Sequence, residues 1–387
     1  MIKRIHKKYA HYFLLAVAVG FVISTFWAHK DKLLRPYDYD YFGSLYSDSQ
    51  YVKGQLSKGG IGDDGLYAFA GYYYITGGDV SQVNFENPPL GNYLIGVSAI
   101  LFKNEIAINI IYAAIFFITV YKIAYILLKN RILASLVVLL LSIDPLIQMQ
   151  LTLSMLDLPM VSFFLVGCLF WLYGLQAPKG GKWLFLSALF FSLSFVIKFF
   201  PFLPFLVGTL MIGTWKENKI KFKQFALYFA VLLPLVYILS YSMYFVYHPS
   251  MIDFLKYQVW VVNWRSSNPF VFGNMVTTML VGWYRSWWGN PQWLYSTDWS
   301  IVMSLTFISG VLGLGLWWKT GYAKWLALMT GLFVLYVSVG TVGVAKYMLP
   351  VYPLLTIAGI QFISGLLMKY PRYRTIISSE KGQHGRS

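Results

Sequence analysis

The chain of 387 residues is 58% hydrophobic and 19% aromatic but only 12% charged, whereas soluble domains run about 45–50% apolar and about 25% charged. Its surplus of apolar side chains needs lipid as solvent, which excludes a soluble globular protein and predicts an all-α, polytopic membrane protein. The formal charge of +16 raises the question of a nucleic-acid partner, and the positions of the charges answer it in the negative.

The N-terminus, MIKRIHKKYAHYFLLAVAVGFVISTFWAHK, pairs a basic start with an apolar run of about the length a spanning helix needs. No small-x-small cleavage pattern follows, so an uncleaved signal anchor fits better than a removable signal peptide. Further apolar segments lie at 106–128, 133–151, 158–175, 183–197, 200–214, 225–246, 299–318, 325–344 and 347–368. With 11–28 they make about ten spans, within a range of eight to twelve. KFFPFLPF interrupts 183–214 and predicts two short spans joined by a tight outer turn.

Segment 89–103, PLGNYLIGVSAILFK, decides the parity. It is too short to span comfortably and is placed at the interface. The N-terminus, 129–131, 176–182, 215–224, 319–324 and the C-terminus then share one face. With Lys122, that face holds 20 of the 31 Lys and Arg, and only Glu217 and Glu380 of the acids. Its charge is +18, against −2 on the other face. Enrichment of Lys and Arg is the cytoplasmic signature, so both termini are predicted inside a cell membrane and no nucleic acid is needed to explain the charge. One transmembrane domain, 1–368, and a basic cytoplasmic tail, 369–387, follow. Every inner loop is short and no GxxxxGK[ST] occurs, which argues against an ATP-driven pump. The single cysteine, Cys168, permits no disulfide within the chain.

Two long outer loops remain, about 29–105 and about 247–298, and they are expected to carry short interfacial helices. The first contains GIGDDGLYAFAGYYYITGGDVSQVNFENPPLG, with Asp63, Asp64, Asp79 and Glu86. Asp157, Lys198, His248, Arg265, Arg285 and Lys346 fall on the same face. Charges at membrane depth are costly and mark partners or aqueous cavities. Simpler readings compete at each position. Asp63 can cap a helix, Asp79 suits a turn after TGG, and Asp144 suits a stop before Pro145. Lys198 can snorkel, and His248 can mark a helix end. Half of the 14 tryptophans crowd into 260–299, which fits an interfacial belt or a sugar-stacking surface.

DDGLY followed by NFENPPLG resembles the GT-C superfamily, and within it the protein O-mannosyltransferase and aminoarabinose-transferase group (glycosyltransferase family 39). Asp63, Asp64 and Tyr67 fit its D-[DE]-x-x-Y spacing, and Glu86, Pro88, Pro89, Leu90 and Gly91 fit its second element. Pro145 followed by Asp157, Lys198 after the next span, HPS with SWW, and KYMLPVYP with Lys346 and Tyr347 are similar to later family elements. Asn87 stands where the family usually has His or Lys, and the basic residue often found before Asp157 is absent.

The resemblance implies a GT-C bundle and a polyprenyl-phosphate sugar as donor. A hexose, such as mannose, would pass with inversion to a hydroxyl of a protein, glycolipid or cell-wall polymer at the outer face. Asp63 is the expected general base, with Asp64 orienting it or binding a metal. The two adjacent acids can serve one site only where the backbone is irregular, which Gly60, Gly62 and Gly65 permit. Lys198, Arg265, Arg285 and Lys346 are the candidate partners for the donor phosphate, with Lys198 ranked first. Tyr347 is expected beside them, and Tyr67, Glu86, Pro88, Pro89 and His248 in support. Asp157 is expected to hold a divalent cation, Mg²⁺ or Mn²⁺, or to position a cationic side chain. The rival from another class is a non-enzymatic lipid-linked sugar transporter, which should place its charges at the bilayer midplane on broken helices.

Overall fold

The computed structural model describes residues 2–198, 202–266, 271–286, 292–318, 321–340 and 342–368. The expected turn at 199–201, Trp287, Trp288 and the basic tail 369–387 lie outside the described residues. The protein is a helical bundle. Helix α1 (Ile2–Ala28) leads into a run of shorter helices, α2 (Lys30–Leu34), α3 (Tyr39–Ser47), α4 (Gln50–Lys53), α5 (Asp63–Ile75) and α6 (Leu90–Leu101). Next come α7 (Asn109–Leu128), α8 (Arg131–Ile143), α9 (Pro145–Leu151), α10 (Asp157–Gln176), α11 (Gly181–Ile197), α12 (Leu203–Glu217) and α13 (Lys219–Ser240).

A second irregular region holds α14 (Ser242–Tyr247), α15 (Met251–Ser266), α16 (Asn274–Val281) and a hairpin of β1 (Trp283–Arg285) with β2 (Trp293–Tyr295). The bundle ends with α17 (Ile301–Trp317), α18 (Ala323–Gly340) and α19 (Tyr352–Leu367). Both long loop regions thus carry the expected short helices; the antiparallel hairpin was not anticipated.

Tyr9–Ala28 of α1, α7, α10 and α13 are long and apolar enough to cross a membrane by length and composition, and α8 with α9 makes a fifth if that bent pair counts as one. The ten expected spans all fall on helices, 133–151 on the pair α8 and α9 and 225–246 on α13 and α14, though four of those helices, α11, α17, α18 and α19, are shorter apolar ones. Helix α10 is the centre of the bundle, with Phe164, Leu165, Cys168 and Trp171 fully buried. Its polar atoms are satisfied internally, as a hydrocarbon surrounding requires: Trp171 Nε1 donates to Thr214 Oγ1 at 2.9 Å.

The segment read as one span at 133–151 is not straight. It breaks at Asp144, and α9 leaves α8 at 69°. Asp144 is extended, and its Oδ1 accepts from the N–H of Leu146 while Pro145 occupies the first helical turn, a standard helix start. The stop-before-proline reading of Asp144 is therefore the observed one. Tyr352 Oη donates to Asp144 Oδ2 at 2.5 Å, which pins the break to the last helix.

Helix α6 has 12 residues, about 18 Å at 1.5 Å per residue, and lies against α5. Their backbones touch where two glycines meet. A Cβ on Gly96 would come within 2.1 Å of the carbonyl oxygen of Gly71, so no larger residue fits that crossing. The PPLG segment therefore begins a packed helix within the first loop region.

Candidate active site

Asp63 stands in the first turn of α5, with Gly62 as its extended N-cap. Its Oδ2 receives Lys346 Nζ at 2.5 Å. Lys346 lies on a 3-10 turn, Ala345–Met348, that precedes α19. That turn stands where the span 347–368 was expected to begin, so Lys346 and Tyr347 precede the helix. Pro350 and Pro353 account for this, since the residue before a proline disfavours the helical region and proline fits the first helical turn.

A second pair lies beside the first. Lys198, at the C-terminal end of α11, donates to both oxygens of Asp157 at 2.7 and 2.8 Å. Lys198 also sits 5.6 Å from the ring centre of Tyr347, within cation–π reach. Gly91 brings α6 up to this corner, because a Cβ there would lie 2.5 Å from the carbonyl oxygen of Ile197. Four segments distant in the chain thus meet at one alternating group, Asp157, Lys198, Asp63 and Lys346.

The exposures within this group are unequal. Lys198 and Asp157 keep 7% and 1% of their side-chain surface, whereas Asp63 keeps 42%. Asp63 is the open member. Burial works against its charge, but Lys346 and Lys198 outweigh that and hold its carboxyl below the usual carboxylate range. Burial disfavours the charge on Lys346 as well, and Asp157 and Asp63 more than restore it, so this ammonium titrates above the ordinary lysine value.

Glu86 behaves oppositely. Burial pushes its carboxyl above the usual range, and Arg265 with a hydrogen bond from Tyr51 offsets this only in part. Arg265, on α15, donates Nε to the carbonyl of Glu86 at 2.7 Å and Nη2 to Asn87 Oδ1 at 3.0 Å. Asn87 then donates to Asn84, Asn84 to Asn92, and Asn92 to the carbonyl of Tyr67 on α5. This buried amide chain was not anticipated. Its only sequence signal is the spacing of asparagines through NFENPPLGN. Pro88 and Pro89 are buried, and Pro89 starts α6.

Other expected residues are placed as follows. Tyr67 is 4% exposed, one turn beyond Asp63 on α5. Asp64 does not join the cluster. Because α5 is regular from Asp63 onward, adjacent side chains diverge, and the glycines around it do not create the irregular backbone that shared service would require. Among the described residues no hydrogen bond or ion pair reaches the Asp64 carboxylate, and its carbonyl accepts from Ser154.

Arg285 is exposed on the hairpin, where its main chain exchanges two bonds with Asn274; its guanidinium takes no part in the cluster. His248 lies outside it too, with Nε2 2.8 Å from Asp79 Oδ2. Asp79 is the turn residue its sequence suggested, since Ser81 donates N–H and Oγ–H to it. With Tyr247, which donates to the carbonyl of Gly77 at 2.6 Å, His248 stitches the second loop region to the first.

The carboxylates are not arranged for a divalent cation. Both oxygens of Asp157 are taken by one ammonium, Asp63 is engaged by another, and Asp64 faces elsewhere. Among the described residues no three His, Cys, Asp or Glu gather into a ligand set. Of the two roles expected for Asp157, the geometry matches positioning of a cationic side chain.

Residues 86–244 match the family model described as dolichyl-phosphate-mannose-protein mannosyltransferase. Solved structures resemble the chain more broadly. ArnT from Cupriavidus metallidurans in the apo state matches with a TM-score of 0.58 and 16% identity, and its undecaprenyl phosphate-bound form with 0.61 and 17%. Each match covers 82% of this chain and 57% of ArnT. The archaeal oligosaccharyltransferase AglB from Archaeoglobus fulgidus, in complex with an inhibitory peptide and a dolichol-phosphate, matches with a TM-score of 0.51 and 12% identity, over 97% of this chain and 52% of AglB. This chain therefore spans a little over half the length of those proteins. A search of curated protein sequences gives no match. The chain thus shares the fold of ArnT and AglB.

Proposed function

We propose that the protein transfers a sugar, a hexose such as mannose, from a polyprenyl-phosphate donor to a hydroxyl acceptor at the outer face of a cell membrane. The observation that carries this reading is the alternating cluster, in which a half-open carboxylate stands beside two nearly buried ammonium groups. The undecaprenyl phosphate of ArnT and the dolichol-phosphate of AglB are ligands of the kind such a cluster suits.

Transfer to a hydroxyl needs a base for its proton and positive charge for the leaving phosphate. Asp63 is the base. Its depressed pKa keeps it ionised at neutral pH, and its exposure lets an acceptor approach. Lys346 and Lys198 face the charge that develops on the phosphate oxygens, the kind of fixed electrostatic support that lowers a barrier most. Asp157 holds Lys198 in place, and Arg265 braces the Glu86 carbonyl and the Asn87 side chain beside the donor.

The Asp63–Lys346 pair adds an order to these events. A donor phosphate competes with Asp63 for Lys346, so donor binding releases the base as the acceptor arrives. A single displacement at the anomeric carbon inverts its configuration. Protein, glycolipid and polymer acceptors are all compatible with this chemistry.

The experiment is incubation of the purified protein with radiolabelled polyprenyl-phosphate hexose and each acceptor class. The wild type is expected to label one class, and Asp63→Asn, at equal expression and melting temperature, to label none. Undiminished transfer by that variant contradicts the base assignment.

A further inference from the structure

Away from the charge cluster, two cavities follow one another along a single face of α1. The first, of 530 Å³, is an apolar groove between α1, α7 and α8, with Leu15, Val19, Val22, Phe26, Ala114 and Phe117 in its walls. The second, of 500 Å³, is polar and lies between the end of α1, the start of α2 and α9, lined by Thr25, His29, Lys32, Gln148 and Thr152. Positions 15, 18, 22, 25, 29 and 32 recur at helical spacing, so one stripe changes from apolar to polar at Thr25. The 69° break at Asp144 turns α9 so that it walls the polar mouth instead of continuing along α1.

We propose that this continuous feature binds an anionic acyl lipid, with its chain in the groove and its phosphate-bearing headgroup in the mouth. The groove wall from Leu15 to Phe26 is about 16 Å long at 1.5 Å per residue, a length that takes much of one leaflet's hydrocarbon depth. The mouth offers Lys32 and His29, and no carboxylate lines either cavity. The Lys32 ammonium above an apolar channel complements an anionic headgroup, whereas a zwitterionic lipid gains nothing from it.

None of Asp63, Asp157, Lys198 or Lys346 lines these cavities, so the seat is separate from the donor site. It flanks that site nonetheless. Thr152 and Leu153 line the mouth, and Ser154, the next residue, bonds to the carbonyl of Asp64.

The test uses the full-length protein in vesicles of phosphatidylglycerol or of phosphatidylcholine, each with a trace of the matching lipid carrying a photoreactive acyl chain. The phosphatidylglycerol probe is expected to label peptides of α1 and α7, and unlabelled phosphatidylglycerol to compete. Lys32→Gln is expected to weaken the labelling about five-fold, the effect of one cationic side chain near an anionic lipid surface. Val19→Trp and Ala114→Trp fill exposed positions of the wall and are expected to abolish labelling at an unchanged melting temperature. Equal labelling by both probes overturns the proposal, because ordinary bilayer contact then explains it. Displacement of the probe by polyprenyl phosphate overturns it too, because the groove then belongs to the donor. Either result leaves sugar transfer to be judged separately by the transfer assay.

Discussion

At the residue scale, the functional account rests on two ion pairs with different surroundings. The Lys198–Asp157 pair is nearly dry, and removing one partner of such a pair costs about 3–5 kcal/mol because the other charge stays buried and unpaired. Asp157→Asn and Lys198→Met are therefore each expected to lower the melting temperature sharply. The double variant Asp157→Leu/Lys198→Met is expected to recover most of the stability while remaining inactive. Recovery of transfer along with stability would show that the pair serves folding alone.

Asp63 and Glu86 make opposite predictions with pH. The Asp63 pKa is lowered in the folded state, so its contribution to stability is complete above the unfolded value of about 3.9 and disappears as pH falls through the lower folded value. The Glu86 pKa is raised, so its contribution is greatest below about 4.3 and is lost as pH rises through the higher folded value. Glu86→Gln is thus expected to flatten the loss of stability that Glu86 predicts as pH rises above about 4.3, as read by thermal melts across that range. An unchanged profile in the variant contradicts the assignment of that slope to Glu86.

These acids and lysines were legible in the sequence as charges stranded at the ends of apolar segments, where they need partners. Which partner each would find was not. Asp63 and Lys346 are 283 residues apart, and nothing local links them. Asp64 shows the converse, since adjacency made it a candidate and the regularity of α5 turned it away.

At the element scale, the first loop region, which carries Asp63, is held by backbone contact and by stitching. Gly96 and Gly71 let α5 and α6 touch, and the side chain in Gly96→Val must force them apart. Overpacking of this kind costs about 1–3 kcal/mol, and the displaced α5 carries Asp63. The expected outcome is a lower melting temperature with loss of transfer, and a variant of wild-type activity would mean that α5 need not be held so closely. That 89–103 is a short helix was legible from its length, since α6 has 12 residues. The break of 133–151 was legible only as a local stop at Asp144, because the partner that Asp144 meets there, Tyr352, lies 208 residues away in the last helix. The hairpin escaped notice because its strands are three residues each, too short for alternation to register.

At the scale of the whole molecule, the division of charge into one basic face and one balanced face predicts an orientation. A cysteine placed at Ser57, in the first loop region, is expected to react with a membrane-impermeant maleimide added to intact cells, and one placed at Lys219 only after permeabilisation. Cys168 is fully buried and stays silent in both cases. The reverse pattern would put Asp63 and its neighbours on the cytoplasmic side and remove the reason for a lipid-linked donor.

The central claim is that this cluster activates a polyprenyl-phosphate sugar, and it is tested most directly by the free polyprenyl phosphate formed per molecule of purified enzyme in a single turnover with saturating donor and acceptor. Wild type is expected to form it at a rate that Asp63→Asn reduces by about 10²–10⁴-fold with donor binding retained, whereas Lys346→Gln loses donor binding as well. Equal rates for wild type and Asp63→Asn would contradict the account.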